Sequence, residues 1–346
     1  MNKIIFLFLS CIIAQHIAYA VRDGSDSDSE GSDEEQVIIN VDWAKSVALS
    51  EKSRCSDGTP LHFAVRAGRL DVINILLDRG ADPNASGTGS FISKTPLEEV
   101  FEGFVLRGKQ RLDVVKLLLA HGANPNTSGG GATPLLRAIL CLGFQDEEPV
   151  DVVELLLDHG ANPNTAVGDD IPLLCAVKNS YVEIVKLLLK RGANINAQNE
   201  FGYTALHQAV SRYFSKFEQP TRLIRLLLAR GAYVNESDSY RGLPLGIAVE
   251  EGYLDFVKLL LKAGADPCWQ RNGETPLDLA HKKGDRKIVR VIERYIKNEQ
   301  KKRTALVQAA FDQDKHNTSP LALLPDDHRV LKKIVELAFP NVPKQK

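Results

Sequence analysis

The sequence predicts an all-α repeat solenoid of stacked helix–turn–helix units with loop or β-hairpin fingers and a helical C-terminal extension. Three observations carry that expectation. Thr-Pro-Leu or a close variant recurs seven times, beginning at Thr59, Thr95, Thr133, Ile171, Thr204, Leu243 and Thr275, at spacings of 36, 38, 38, 33, 39 and 32 residues. A Gly-Ala motif rich in Asp and Asn recurs in phase with it, at Gly80, Gly122, Gly160, Gly192, Gly231 and Gly264. Before each of these glycines lies an apolar run such as Asp113-Val114-Val115-Lys116-Leu117-Leu118-Leu119. A period of this length marks a stack in which each unit buries its apolar face only against its neighbours.

Each element of a unit has a local cause. Threonine caps a first helix, and proline suits its first turn, where no backbone N–H is needed. The apolar run supplies a stripe at i, i+3 and i+4 for a second helix. The glycine stops that helix in a left-handed conformation, and the Asp/Asn-rich stretch turns the chain toward the next unit.

The segments outside the repeats differ in kind. Residues 1–20 carry Lys3, an apolar stretch from Ile4 to Ile13 and an Ala18-Tyr19-Ala20 site, the pattern of a cleaved signal peptide. The apolar run is about half the ~20 residues that a membrane-spanning helix needs. Residues 21–42 form an acidic linker in which seven acids fall within the thirteen residues 23–35. Such a segment cannot bury enough surface to offset its chain entropy, so disorder is expected. Trp43 to Arg54 read as a leading cap on an array over 43–298, with repeats starting near residues 57, 93, 131, 169, 202, 241 and 273.

The units resemble the ankyrin-repeat family. Thr59-Pro60-Leu61-His62-Phe63-Ala64 is that family's full signature, and Thr204-Ala205-Leu206-His207-Gln208-Ala209 departs from it at one position. The resemblance implies an all-α ankyrin-repeat solenoid that binds a protein partner through finger tips and first-helix ends lining a concave surface. Carried over by position, the finger-tip candidates are Phe91, Ile92, Phe201, Tyr203, Tyr240, Arg241, Trp269 and Arg271. The helix candidates are Arg66, Lys178, Asn179, Glu250, Glu251, His281 and Lys282. Aromatic and Arg side chains are the usual energetic centres of interfaces. His62 and His207 sit in the signature position, where the family uses histidine for structural hydrogen bonding.

Three units carry a six-residue insertion between their helices, at 102–111, 142–149 and 212–220. Either the first helices are longer by about 1.5 turns, or a loop protrudes. The seventh unit lacks the stopping glycine. It is flanked by Lys282, Lys283, Arg286, Lys287, Arg290, Arg294, Lys297, Lys301, Lys302 and Arg303, read as the solvated outer face of a terminal repeat. In the extension, 299–346, Thr304 to Ala309 looks like a decayed eighth first helix. Residues 319–339 resemble the opening half of an F-box, with Leu324-Pro325-Asp326-Asp327 followed by Val330, Leu331, Ile334, Val335 and Leu337. Two readings of that segment stand. One is a final amphipathic helix docked on the array. The other is a ubiquitin-ligase adaptor site on Leu324, Pro325, Leu331 and Ile334.

Composition narrows the function. The 346 residues hold 43 Lys+Arg and 44 Asp+Glu, a net charge of −1. No global field favours nucleic acid, and none is expected as partner. The acidic linker hides a slightly basic body, since residues 36–346 carry 41 basic and 37 acidic residues. Cys55, Cys141, Cys175 and Cys268 show no Cys-x-x-Cys spacing, and no phosphate-loop, zinc-protease or nucleophile-elbow motif occurs. The expectation is therefore a non-enzymatic, monomeric scaffold with no cofactor, no metal and, after signal cleavage, no membrane association. Export places it in the periplasm or outside the cell if it is bacterial, or in a host cell as a microbial effector. The sequons at Asn84, Asn126 and Asn235 coincide with the repeating Asn and are read as incidental. A fourth lies at Asn317.

Overall fold

A computed structural model describes residues 58–86, 94–102, 106–129, 131–141, 149–211, 220–240 and 242–315. The signal-peptide pattern, the acidic linker, the leading cap and the F-box-like segment lie outside them. The chain divides into two compact units, residues 1–244 and 245–346.

In the first unit, five helix pairs follow one another: α1 (Pro60–Arg66) with α2 (Leu70–Asp78), α3 (Pro96–Glu99) with α4 (Gly108–Ala120), α5 (Pro134–Cys141) with α6 (Val150–Asp158), α7 (Pro172–Lys178) with α8 (Val182–Lys190), and α9 (Ala205–Val210) with α10 (Pro220–Ala229). Each first helix packs on its own second helix, and successive first helices from α1 to α9 pack on one another, while α2 stacks on α4, α4 on α6 and α6 on α8. The core between them is aliphatic. Leu61, Ile73, Leu76, Leu97, Leu118, Leu135, Ile139, Leu156, Leu173 and Leu188 are all but sealed from solvent. The second unit holds α11 (Pro244–Glu251, all but its first residue), α12 (Leu254–Lys262), α13 (Pro276–Lys283) and α14 (Arg286–Lys315). There α13 packs on α14, and α12 stacks on α14 around Val257, Leu260, Ala280, Ile288 and Ile292.

The expected start and stop signals operate as local physics requires. Thr95 Oγ1 accepts from the Glu98 amide while the Glu98 carboxylate accepts from the Thr95 amide, a reciprocal cap that satisfies two orphan donors. Ile171 has no oxygen to offer, and α7 begins without a side-chain cap. At the other end, Gly122 lies at φ +86°, its amide bonds the Leu119 carbonyl, and the Ala123 amide reaches back to Leu118. That six-to-one bond is how a left-handed residue closes a helix.

The insertions depart from one of the two expectations. First helices are not lengthened in units two and five. α3 spans only four residues, and α9 ends at Val210 because Ser211 is already extended, at φ −73° and ψ 154°. After α3, Val100 and Phe101 turn inward and are buried, so the helix gives way to core packing. Part of the added length enters the second helix instead, since α4 has 13 residues whereas α2, α6, α8 and α12 have 9 each.

The expected decayed eighth first helix is not a separate element. Thr304 to Ala309 continue α14, which runs unbroken to Lys315. Among the described residues the β component consists of isolated bridge positions, among them Val167 with Asp170 and Arg271 with Glu274. The bridge at 271–274 closes a two-residue hairpin whose central residues, Asn272 and Gly273, lie at φ +52° and +81°, the primed geometry that tight hairpins favour. No helix among the described residues is long and apolar enough to cross a membrane.

Candidate functional site

The finger loops of the first unit are built on short acceptor side chains. Asn199 Oδ1 accepts from the amides of Phe201 (3.1 Å) and Tyr203 (2.9 Å), and the Asn199 amide donates to the Tyr203 carbonyl. One unit later Asp238 Oδ1 accepts from Tyr240 (2.8 Å) and Gly242 (2.9 Å), and its amide donates to the Gly242 carbonyl. The two loops thus share one construction, an Asx turn that fixes the tip without a strand. A backbone bond from the Ser239 amide to the Phe201 carbonyl, 2.9 Å, ties them together.

This construction presents two aromatic rings to solvent. Phe201 and Tyr240 are 37% and 61% exposed, with centroids 5.2 Å apart and planes tilted by 57°. That spacing is within the range of a favourable aromatic pair. The rings are therefore braced before any partner arrives, which lowers the ordering cost of binding.

Tyr203 was expected to serve beside them as a contact residue, but it is engaged internally. Its ring packs at 5.3 Å from His207, and its hydroxyl donates to the His207 carbonyl. His207 is fully buried. Its Nδ1 accepts from the Thr204 amide (3.2 Å) and meets Thr204 Oγ1 (2.8 Å), while Nε2 donates to the Gly242 carbonyl (3.0 Å). His62 repeats the arrangement with Thr59 and the Lys94 carbonyl. Burial lowers both imidazole pKa values from the ordinary 6.5. The structural role implied for these histidines is thus visible atom by atom, and each is a tie to the following unit as well as a cap. Glu98 occupies the same position in unit two with opposite polarity, and its Oε1 accepts from the Gly129 amide, 2.8 Å.

A row of charges crosses the first-helix side of units one to three. Arg66 pairs with Glu99, while Glu102 accepts from both Lys94 (3.0 Å) and Arg137. The guanidinium of Arg66 also lies 5.7 Å from the Phe63 ring. Only Arg66 was singled out from sequence. The others were missed, although aligning the repeats places Arg66 and Glu102 seven residues after their Thr, and Glu99 and Arg137 four residues after theirs. That alternation of sign at fixed register was the signal.

The remaining predicted residues distribute as follows. Lys178 is exposed, while Asn179 caps α7 by donating to the Cys175 carbonyl. In the second unit Glu250, Glu251 and Trp269 are half-buried, and Arg271 stands exposed on the hairpin. Lys282 pairs with Glu274, and all ten basic residues from Lys282 to Arg303 are exposed. Phe91, Ile92, Arg241, Leu324, Pro325, Leu331 and Ile334 lie outside the described residues. Cys175 is a buried thiol, pushed up to about 12 by burial and by the neighbouring Asp170 carboxylate, so it is not a nucleophile at neutral pH. Among the described residues no three metal-ligating side chains converge.

Comparison with known proteins agrees with this architecture. The family model described as ankyrin repeats (3 copies) matches residues 146–238, 173–270, 215–303 and 245–319, and that for a single ankyrin repeat matches 57–88. A probable serine/threonine-protein kinase of Dictyostelium discoideum is 35% identical over 116 residues, which are 33% of this chain but only 12% of that kinase. Cyclin-dependent kinase 4 inhibitor B of Rattus norvegicus is 35% identical over 121 residues, 34% of this chain and 86% of that protein. The ankyrin repeat domain of human ASB11 superposes with a TM-score of 0.50 at 27% identity, covering 68% of this chain and 97% of that one.

Proposed function

We propose, from the premise that the chain belongs to the ankyrin-repeat family, that it is a non-catalytic scaffold which holds a protein partner against the finger loops and first-helix side of its repeats. The family makes protein–protein interaction the function, and the site residues are our reading. The observation that carries it is the braced, exposed pair Phe201 and Tyr240. Large aromatic side chains in fixed positions contribute the most contact area for the least ordering entropy. The charge row from Arg66 to Arg137 lies on the same unit and supplies polar contacts. The signal-peptide pattern at 1–20 supports export of the scaffold, and export of a repeat scaffold supports an effector acting on another cell's proteins.

Affinity capture with the full chain, repeated with Phe201→Ala and Tyr240→Ala, tests the surface. Each substitution is expected to weaken retention of the captured partner by about tenfold or more. Unchanged retention by both variants rejects this surface. A second reading, a ubiquitin-ligase adaptor, rests on the Leu324-Pro325-Asp326-Asp327 pattern. Pull-down with a Skp-type adaptor protein that survives Leu324→Ala and Ile334→Ala unchanged sinks it.

A further inference from the structure

The repeating asparagines form a ladder that joins one unit to the next. Asn84 Nδ2 donates to the Gly122 carbonyl (2.9 Å), and its Oδ1 accepts from the Asn124 amide (2.7 Å). Asn126 does the same to Gly160 (2.8 Å) and Asn162 (2.7 Å), and Asn164 to Gly192 (3.0 Å) and Asn194 (2.7 Å). In each case the two backbone groups flank a single alanine, so one edge of the side-chain amide makes both bonds. The hydrogen donated to the carbonyl is therefore the one syn to Oδ1. The partners also fix which end is nitrogen, because one is a carbonyl and the other an N–H.

Asn84 and Asn126 begin the sequons Asn84-Ala85-Ser86 and Asn126-Thr127-Ser128. We propose that these two asparagines are an either/or modification site: glycan acceptors in the unfolded chain, inter-repeat latches in the folded one, with each state excluding the other. Transfer from a lipid-linked oligosaccharide diphosphate forms a bond between Nδ2 and sugar C1. It breaks the C1–O bond to the diphosphate, releases the lipid diphosphate and removes one proton from Nδ2. The product is a secondary amide, and in its trans form the remaining N–H points away from Oδ1. Sugar C1 then occupies the place of the hydrogen now given to Gly122 or Gly160. A glycan attached before folding therefore removes the latch, and a closed latch engages the acceptor nitrogen.

The consequence reaches the route of export. In a compartment where an oligosaccharyltransferase meets the nascent chain, the latches at Asn84 and Asn126 are open to diversion. The inference is independent of the partner surface, because no ladder residue belongs to it.

The test supplies a purified oligosaccharyltransferase and its lipid-linked donor to the full chain in two ways: during cell-free translation, or after the chain has folded. A short sequon peptide monitors enzyme activity, and site occupancy is read by mass spectrometry. Occupancy at Asn84 and Asn126 is expected to be at least about tenfold higher when the enzyme is present during translation, the scale of one net hydrogen bond per latch. Ala166→Ser turns the Asn164-Thr165-Ala166 segment into a further sequon on the same ladder and is expected to behave identically. Chain glycosylated during translation is expected to unfold at lower urea than chain carrying Ser86→Ala and Ser128→Ala, which keeps both asparagines and takes no glycan there. Equal occupancy under the two regimes overturns the proposal. So does an unchanged urea midpoint, or no glycan on the nascent chain while the peptide is modified.

Discussion

The amide of Ser239 donates to the carbonyl of Phe201 across 2.9 Å and so locks two successive finger loops into one surface. It is this bond that sets the Tyr240 ring over Phe201 at 5.2 Å. The aromatic pair is thus a property of two repeats together, and either loop loosened alone should spoil it.

Asn199 offers the cleanest way to loosen one loop. Its Oδ1 holds the Phe201 and Tyr203 amides, so Asn199→Ala leaves both without that acceptor. The expected cost is about 1–2 kcal/mol, because water can partly replace the acceptor at an exposed tip. Hydrogen exchange of the Phe201 and Tyr203 amides should accelerate, and partner retention should fall although no contacting ring has been removed. Unaltered exchange at these amides would show that the loop is held by something else.

The ladder predicts where the stack parts. Asn126 joins units two and three through two bonds, to Gly160 and Asn162. Asn126→Ala should cost about 1–3 kcal/mol and lower the urea m-value, as the units on either side begin to unfold separately. Urea titration followed by far-UV circular dichroism checks both. A lowered midpoint at constant m would mean that apolar stacking alone couples the two units.

The fold was legible because its signals are local and repeated. Thr95 and Gly122 each act within one turn of helix, and six or seven copies in phase leave little room for another reading. What was not legible depends on which residues meet across repeats. Tyr203 looks like a finger-tip contact in one dimension, but its ring is spent on His207 four residues later. The shortening of α3 was hidden for a similar reason. Val100 and Phe101 read as helix continuation, and only the packing of the neighbouring pairs turns them into the core. Glu102 and Arg137 lie 35 residues apart and declare their pairing only after the repeats are aligned.

That pairing can be separated from ordinary surface charge. The Arg137 side chain is 11% exposed, whereas Lys258 and its partner Asp255, 3.0 Å apart, are 51% and 78% exposed. Glu102→Ala leaves Arg137 with the Ala132 carbonyl as an acceptor but no carboxylate, and a poorly hydrated cation. A loss of about 1–2 kcal/mol is expected, persisting in high salt. Lys258→Ala should cost less than about 1 kcal/mol and should fade with salt. Urea midpoints at low and high ionic strength distinguish the two. Equal losses with equal salt dependence would place both pairs among screened surface charges.

The buried histidines make stability fall on mild acidification. His62 and His207 are held below the ordinary pKa of 6.5 first by burial, which penalises the cation. Each Nδ1 lone pair accepts a Thr amide, so protonation would also set one N–H against another. Below about pH 6.5 the unfolded chain therefore binds more protons than the folded one, and stability rises with pH across that interval. The contribution is complete above the unfolded value and is lost as pH falls toward the folded one. The carboxylates of Asp71 and Asp278, held low by hydrogen bonds from Arg69 and Thr275, lose their contribution only at more acidic pH. Urea midpoints measured from about pH 7.5 to about pH 5 should thus decline in the wild type. The double variant His62→Gln, His207→Gln should start lower, for want of two well-placed imidazoles, and decline less steeply over the same range. An equal slope in the two proteins would assign the acid sensitivity to other groups.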